Sequence, residues 1–199
     1  MEQTNLFGSS ASIREEGGTP SVTEGAHAHK NQFQKDHSMN LIVVVDNKWG
    51  IGKNNNLLFS LKKDMAFFRQ TTTGKVVVMG AKTFQTFPNG ALPNRVNIVL
   101  DHQGNNHDGA TTVTTVEDLF ALLQNYNTDD VFVIGGATVY KLLLDSCQTA
   151  YVTKVQADGD AEVFFPNLDE MESWQLVEMG EDIQDANYTI NFCKYVQAK

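Results

Sequence analysis

The chain has 199 residues, of which 41% are hydrophobic and 20% are charged, a length and composition that suit one globular domain with an ordinary core. Its formal net charge of −9 argues against sequence-independent binding of nucleic acid, which needs a basic surface. No apolar run is long enough to cross a membrane, and no basic-then-apolar signal segment opens the sequence. We therefore expect neither a nucleic-acid nor a membrane partner.

The two cysteines, Cys147 and Cys193, lie far apart in the sequence and lack the spacing of metal ligands. A disulfide between them stays open, but two buried free thiols in a reducing compartment are the simpler interpretation. The sequence thus predicts a soluble, cytoplasmic protein.

Residues 1–38 differ from the rest of the chain. They are rich in Gly, Ser, Thr, Glu, His and Gln and have neither helical nor strand periodicity, which predicts a disordered polar N-terminal extension. His27 and His29 have no third convergent ligand, so no metal site is predicted there. The predicted domain is residues 39–199, because Met39 directly precedes the first apolar run.

From residue 40 onward, apolar strands alternate with helices. The continuous apolar run at 41–45 is typical of a strand buried on both faces, and Leu61, Met65 and Phe68 form one stripe of the first helix. Strands are predicted at 41–45, 75–79, 96–100, 131–134 and 150–155, helices at 61–72, 116–124 and 138–144, and a closing hairpin at 174–179 and 188–195. This order predicts a three-layer α/β fold with a mostly parallel central sheet and an antiparallel C-terminal edge hairpin.

Three glycine turns, at residues 49–52, 79–83 and 134–137, each follow a predicted strand. Ligands of parallel α/β sheets bind where strands end and such turns begin helices. None of the turns is a GxGxxG fingerprint or a Walker phosphate loop. Because turns also need φ > 0 for structural reasons, each glycine turn alone is weak evidence for a ligand.

Asp64 is stronger evidence for a ligand site than the glycine turns, since it lies on the helix between Leu61 and Phe68. One interpretation is an acidic residue near a helix N-terminus that complements the helix dipole. The other is a partly buried acid bordered by aromatic side chains, whose pKa desolvation would raise. A cavity with one carboxyl and flat apolar walls suits a planar heterocycle with an amidine-like edge.

Several motifs resemble the dihydrofolate reductase family of the bacterial type, and they keep its order and spacing from about residue 40 to the C-terminus. The motifs are Trp49-Gly50-Ile51-Gly52-Lys53-Asn54, Asp64 with Phe67-Phe68, Val77-Val78-Met79-Gly80, Leu92-Pro93-Asn94-Arg95 with Asn97-Ile98-Val99-Leu100, Val133-Ile134-Gly135-Gly136 with Tyr140, and Phe165-Pro166. The related reductase domain of riboflavin biosynthesis shares the fold and the cofactor mode. It is not expected to combine an Asp64 helix with Arg95.

The resemblance implies a monomeric oxidoreductase that reduces 7,8-dihydrofolate to 5,6,7,8-tetrahydrofolate with NADPH, for one-carbon and thymidylate metabolism, and that antifolates inhibit. Asp64 would bind the 2-amino group and N3 of the pterin and favour protonation of N5. Ile42, Phe68 and Leu92 would wall the substrate, and Thr153 would support Asp64 through a water. Arg95 would clamp the α-carboxylate of the glutamyl tail with its planar fork.

The resemblance also implies a loop, residues 50–57, that closes over the nicotinamide, with Leu57 and Phe59 taking part in catalysis beside Asp64. The Gly135–Gly136 bond is expected to be cis, and Lys82 and Thr83 open a short helix that receives the pyrophosphate. The implied cofactor-binding residues are Val44, Ile51, Gly52, Asn55, Leu57, Gly80, Lys82, Thr83, Leu100, Asp101, His102, Ile134, Gly135, Gly136, Ala137, Thr138, Val139 and Tyr140.

The chain departs from the family at four places: Leu58-Phe59 replace a Pro-Trp pair, Lys62 a proline, Ala81 an arginine, and Asp101-His102 a Ser or Thr segment. The last two changes fall where the 2′-phosphate of NADPH is expected, so the preference for NADPH over NADH is predicted to be weakened. Asp101 either repels the phosphate or caps a turn and leaves the phosphate to Lys82.

Two alternatives remain open on the sequence. One is a catalytically weak member that binds folate or a nucleotide, which the altered loop and phosphate region favour. The other is a reductase of the riboflavin-pathway type. The presence of both Asp64 and Arg95 favours the active dihydrofolate reductase.

Overall fold

The apolar runs of the sequence become the inner strands of one sheet in a computed structural model, which describes residues 38–198. The disordered extension predicted for residues 1–38 lies, except for Ser38, outside these described residues, as do His27 and His29. The strands are β1 (Met39–Val45), β2 (Gly50–Gly52), β3 (Val76–Gly80), β4 (Val96–Leu100), β5 (Thr111–Val113), β6 (Val131–Gly135), β7 (Cys147–Val155), β8 (Val163–Phe164), β9 (Trp174–Met179), β10 (Ile183–Asp185) and β11 (Tyr188–Gln197). The α-helices are α1 (Lys62–Thr72), α2 (Ala81–Gln85), α3 (Val116–Leu123) and α4 (Ala137–Leu143).

The central sheet has the strand order β10-β11-β7-β1-β6-β3-β4-β5, and β9 also pairs with β11. The six strands from β7 to β5 run parallel, whereas β11 is antiparallel to β7, β9 and β10. The predicted α/β fold with an antiparallel C-terminal edge is therefore confirmed. Because the six strands are parallel, their carboxyl ends share one edge, and all three predicted glycine turns lie there.

Strand β1 divides the core, because successive side chains point to opposite faces of a sheet. Leu41, Val43 and Val45 pack on the face that α3 and α4 cover, with Leu119, Leu123 and Leu143. Ile42 packs on the other face with Val77, Met79, Phe84, Val99 and Phe132, against Phe67 and Phe68 of α1. The sheet is thus covered on both faces, which gives the predicted three layers.

The predicted stripe of α1 is only partly correct. Leu61 is 2% exposed and Phe68 is half-buried, but Met65 is 47% exposed. Phe67 and Phe68 are the side chains of α1 that pack on the apolar cluster of the sheet, and Met65 does not belong to that cluster. An apolar side chain is therefore left at the surface, one residue after Asp64.

The described part of the chain contains elements that the sequence pattern did not predict. Strands β2 and β8 form a small antiparallel sheet beside the central one, and β5 adds an outer parallel strand. The predicted closing hairpin has β9 and β11 as antiparallel partners, but β10 lies between them in the chain and pairs with the first half of β11. These short strands have too few residues for a clear period-2 pattern.

Both cysteines are free and buried, as expected. No helix among residues 38–198 is long and apolar enough to span a membrane. In the same range, no group of three or more His, Cys, Asp or Glu side chains is arranged to hold a metal ion.

Asp46 joins the two loops that flank the carboxyl end of β1. Its carboxylate accepts hydrogen bonds from the backbone N–H groups of Lys48 at 2.8 Å, Gly50 at 2.7 Å and Gly159 at 3.1 Å. Only 2% of Asp46 is exposed. One buried side chain therefore fixes the start of the loop that leads to β2 and ties it to the loop after β7.

We predict that Asp46→Ala lowers the free energy of unfolding by about 2 kcal/mol or more, because it leaves three backbone donors without their acceptor. Chemical denaturation measures this loss. Asp145→Ala, which removes an exposed carboxylate, is the matched control and should change stability by less than about 0.5 kcal/mol. Equal stability of the two variants would show that Asp46 does not hold the loops.

Candidate active site

The glycine turns after β3 and β6 touch each other at the carboxyl edge of the sheet. A Cβ atom added to Gly80 would lie 3.1 Å from Val139 Cγ2, and one added to Gly136 would lie 3.1 Å from Thr83 Oγ1. Gly135 has φ +123°, which a side chain rarely adopts, and the Gly135–Gly136 bond is cis, as expected. The two turns therefore approach more closely than residues with side chains would allow.

The helices that follow these turns begin without a capping side chain. Gly80 is the N-cap of α2 and Gly136 is the N-cap of α4, and neither helix start receives a side-chain cap hydrogen bond. By contrast, Thr115 caps α3 by accepting from the backbone N–H of Asp118 at 3.0 Å. The first amides of α2 and α4 can therefore bind an anionic ligand at the sheet edge.

Asp64 lies half-buried in the first turn of α1. Burial raises the pKa of its carboxyl, the nearby negative charge of Asp185 raises the pKa further, and the Thr153 hydroxyl lowers it. Thr153 is 1% exposed, and its Oγ1 has no hydrogen-bond partner among the described residues. A buried hydroxyl without a partner is uncommon, so the Asp64–Thr153 pair is a place where a polar ligand group can be bound.

The helix that carries this carboxyl packs against an apolar cluster of the sheet. Ile42 of β1 belongs to the same cluster as half-buried Phe68, Leu92 and Ile134, so the structure brings all three predicted substrate walls together. Asn97 holds the Leu92 backbone from both sides, accepting from Leu92 N and donating to Leu92 O, each at 2.9 Å. The predicted walls are thus one buried and two half-buried apolar side chains in a cluster that packs against the helix of Asp64.

Arg95 lies at the outer end of the same cluster. Its Nε donates to Thr72 Oγ1 at 2.8 Å, its Nη1 to Pro93 O at 2.7 Å and its Nη2 to Thr73 Oγ1 at 3.2 Å. Its Cζ is 5.8 Å from the centre of the Phe68 ring. Burial lowers the pKa of Arg95, and the nearby Arg69 lowers it further. The guanidinium is therefore held in place beside the aromatic wall with a second cation close by.

The loop expected to close over the ligand is anchored at its base and exposed at its end. Asn54 and Asn55 form a tight turn with φ +50° and +60°, and Asn54 N donates to Glu162 at 3.2 Å. Leu57 is 64% exposed. Phe59 is 8% exposed, with its ring centre 4.9 Å from that of Tyr188. Leu57 is thus free to contact a ligand, whereas Phe59 forms part of the loop's packed base.

The residues predicted to bind the cofactor differ in how far they are exposed to solvent. Val44, Ile51, Gly52, Leu100, Ile134, Gly136 and Ala137 are half-buried, Lys82, His102 and Thr138 are exposed, and Val139 and Tyr140 are buried. The Tyr140 hydroxyl donates to Ile42 O at 2.6 Å and so joins α4 to β1. Burial and the nearby Asp64 raise the pKa of Tyr140, which keeps the phenol neutral.

The Asp101 carboxylate faces its own loop. It accepts hydrogen bonds from Gln103 N at 3.0 Å, Asn105 Nδ2 at 2.9 Å and His107 Nε2 at 3.1 Å. The first two bonds are the main causes that lower the pKa of Asp101 to about 2. Of the two interpretations drawn from the sequence, this geometry favours the turn cap over a carboxylate that faces the cofactor.

Sequence reasoning missed one polar group of the site and one apolar group. Asp185 lies 121 residues from Asp64 in the chain, yet its carboxylate contacts the first turn of α1. No local pattern marks it, because only the fold brings β10 against that helix. Met65, which the helical period placed on the apolar stripe, is an exposed apolar side chain next to Asp64.

Comparison with known proteins agrees with this arrangement. A model of the dihydrofolate reductase family matches residues 38–197. The dihydrofolate reductase of Haemophilus influenzae is 36% identical over 139 residues, which cover 70% of this chain and 84% of that protein. The enzyme of Bacillus subtilis is 32% identical over 160 residues, which cover 79% and 93%.

A solved structure, the dihydrofolate reductase from Enterococcus faecalis complexed with NADP(H) and RAB-propyl, superposes with a TM-score of 0.73. It is 28% identical in sequence, and the match covers 82% of this chain and 98% of that one. The family match spans the described domain almost completely, and two relatives exceed 30% identity over most of their length. The chain belongs to the dihydrofolate reductase family.

Proposed function

We propose that this chain is an active dihydrofolate reductase, in which Asp64 binds the pterin of 7,8-dihydrofolate. The observation that carries this proposal is a single half-buried carboxyl of raised pKa on α1, the helix whose Phe68 packs in one apolar cluster with Ile42 and Leu92. A planar heterocycle with an amidine-like edge would lie against these walls and present its 2-amino group and N3 to the carboxyl. Antifolates that carry the same edge are expected to bind there.

Asp64 also assists proton transfer in this proposal. A raised pKa keeps a larger share of the carboxyl protonated near neutral pH, which favours protonation of the pterin at N5. Such assistance by a positioned acid is worth about 10²–10⁴-fold in rate. The Thr153 hydroxyl supports the carboxyl from β7. Arg95, which Thr72, Thr73 and Pro93 hold in place, receives the α-carboxylate of the glutamyl tail through the N–H groups that these bonds leave free.

The glycine turns fit NADPH. Gly80 and Gly136 let the two turns lie close together, near Val139 and Thr83. The helices α2 and α4 that follow start without a side-chain cap, so their first amides suit the negatively charged pyrophosphate. Val44, Ile51 and Ile134 supply partly exposed apolar surface for the nicotinamide, and Leu57 lies on the loop that would exclude water. When bound, NADPH supplies the hydride.

We further propose that the enzyme acts as a cytoplasmic monomer. The two free, buried thiols support a reducing compartment. All residues assigned to the site come from one chain, so the site needs no second copy.

Asp64→Asn is expected to lower turnover at pH 7 by at least about 10²-fold, because the amide keeps the shape but cannot supply a proton. Activity should recover in part at low pH, where N5 takes its proton from solvent. The loss of NADPH absorbance with dihydrofolate measures both effects. Asp145→Asn, at an exposed carboxyl, is the control. Near-normal turnover of Asp64→Asn at pH 7 would refute the assignment, and wild-type protein without turnover would favour the ligand-binding alternative.

The same variant should be more stable than the wild type at neutral pH. Since the folded-state pKa of Asp64 is raised, ionisation favours the unfolded chain, and the wild type loses stability as pH rises through that pKa. The advantage of Asp64→Asn should therefore be small below the ordinary pKa of an aspartate, grow as pH rises to the raised folded-state pKa of Asp64, and stay constant above it. Denaturation at several pH values measures it, and a difference independent of pH would show that Asp64 is not held away from water.

The preference for NADPH over NADH is expected to be below about 10³-fold in kcat/KM at saturating dihydrofolate. Ala81 cannot form the charge-assisted contact with the 2′-phosphate that an arginine would, which is worth about 1.5–3 kcal/mol. Ala81→Arg should raise the preference, whereas Gln85→Arg, which adds the same charge at the other end of α2, should not. A wild-type preference above 10³-fold, or no response to Ala81→Arg, would contradict this prediction.

We also expect a chain that begins at Met39 to match the full chain in Tm and steady-state constants. The family match begins at residue 38, and the polar composition of residues 1–37 cannot bury enough apolar surface to offset the cost of ordering them. Thermal unfolding of both chains measures the difference. A drop of several degrees in Tm would place the domain boundary earlier.

A further inference from the structure

The start of α1 is stabilised by a residue from the far end of the chain. The N-cap residue, Leu61, has an apolar side chain, and the helix start receives no cap hydrogen bond from it. Asp185 of β10 takes that role: its Oδ1 accepts from Lys62 N at 3.1 Å, and its Oδ2 accepts from Lys63 N at 2.6 Å and Asp64 N at 3.3 Å. One carboxylate thus binds three successive amides, the last of which belongs to Asp64.

Asp185 itself is held firmly. It is 4% exposed and lies where β10 meets β11 in the register Asp185↔Tyr188. A carboxylate is retained in such a buried position only where several donors compensate its desolvation, as these three amides and the helix dipole do. The negative charge also lies close enough to Asp64 to raise the pKa of that carboxyl.

Lys62 explains why this arrangement differs from the family pattern. Family members commonly carry a proline at this position, and proline has no N–H group to donate. With Lys62 the chain loses the fixed φ of proline at the first helical position but gains a donor for Asp185 Oδ1. In this chain the start of the helix is therefore fixed by the Asp185 carboxylate without a proline.

We propose that Asp185 is a positioning residue for the reaction, which clamps the first turn of α1 and thereby holds the Asp64 carboxyl at the pterin pocket. This inference rests on the proposed function, in which Asp64 is the group that meets the pterin. Asp185 acts only through α1 and needs no contact with the substrate.

The charge of Asp185 adds to this mechanical role. The groups that face Asp64 from neighbouring elements are Asp185 of β10, Thr153 of β7 and Tyr140 of α4. Tyr140 stays neutral and Thr153 does not ionise, so Asp185 is the one charged group among these three. Removal of the Asp185 charge should lower the pKa of Asp64. Activity falls at high pH when Asp64 ionises, so this alkaline decline should begin at lower pH.

Two variants separate the clamp from the charge. In Asp185→Asn, the amide oxygen can still accept from Lys63 and Asp64, but the NH₂ group would face the N–H of Lys62. In the double variant Lys62→Pro/Asp185→Asn that N–H is absent, and Leu61 already has the extended backbone, φ −118° and ψ 118°, that a following proline requires. The double variant should therefore keep the clamp and lose only the charge.

For the double variant we expect a Tm, and a turnover rate at low pH (the acid limb of the pH profile), near those of the wild type. The ratio of its activity at pH 8 to its activity on the acid limb should be about threefold lower than the same ratio for the wild type. Asp185→Ala should lose both the clamp and the charge, so its rate should fall at every pH. Lys62→Pro in the Asp185→Ala background should restore part of the Tm and of the acid-limb rate but not the position of the alkaline decline. If Asp185→Ala does not fold, the pH profile of Lys62→Pro/Asp185→Asn tests the proposal.

The control is Thr115→Ala, which removes the cap of α3 and should lower Tm without moving the pH profile. A second readout does not need turnover: the ¹³Cγ shift of Asp64, titrated by NMR in protein without ligand, should give a lower pKa for both Asp185 variants. An unchanged titration together with a wild-type pH profile would overturn the proposal. Inactive wild-type protein would instead refute the proposed function and leave the titration as the test of Asp185.

Discussion

The desolvation of one carboxyl is the constraint on which the candidate site depends. An ionised acid is costly to keep in an apolar environment, so the fold must hold Asp64 there through something other than its own hydration. That support comes from α1, whose apolar side packs on the sheet through Phe67 and Phe68. The same packing supplies the flat walls of the pocket, so the energy that holds the acid also shapes the surface against which a pterin would lie.

The part of the site formed by the two glycine turns depends on the parallel direction of the strands. Because β3 and β6 are parallel neighbours, their carboxyl ends bring two glycine turns into contact, and the helices that follow begin with free amides at the same edge. Tyr140 ties this edge to β1 through its bond to Ile42 O, at a residue whose side chain is one of the walls proposed for the pterin. The places proposed for the hydride donor and for its acceptor are therefore fixed by one continuous sheet rather than by separate lobes.

Sequence patterns could predict the parts of this arrangement that depend on local order. The apolar runs gave the inner strands, the glycines gave the turns, and the position of Asp64 between Leu61 and Phe68 gave a partly buried acid. Patterns could not predict what depends on distant packing. Met65 has a helical period that fits a core, yet its side chain is exposed in the folded chain. Asp185 is an ordinary acid of a short strand in the sequence, and only the contact of β10 with α1 gives it a role.

The departures from the family pattern are physically of two kinds. Lys62 is compensated within the described structure, because Asp185 accepts the N–H that a proline would lack and fixes the same helix start. Ala81 is not compensated in this way: Asp101 is engaged in its own loop, and the basic side chains next to these positions, Lys82 and His102, are exposed. A change at the helix start must be matched by a partner, since a displaced Asp64 would lose the pterin. A change at the 2′-phosphate removes one contact of the cofactor and leaves the amides of α2 and α4 in place, so selectivity for the phosphate can weaken while the reaction itself persists.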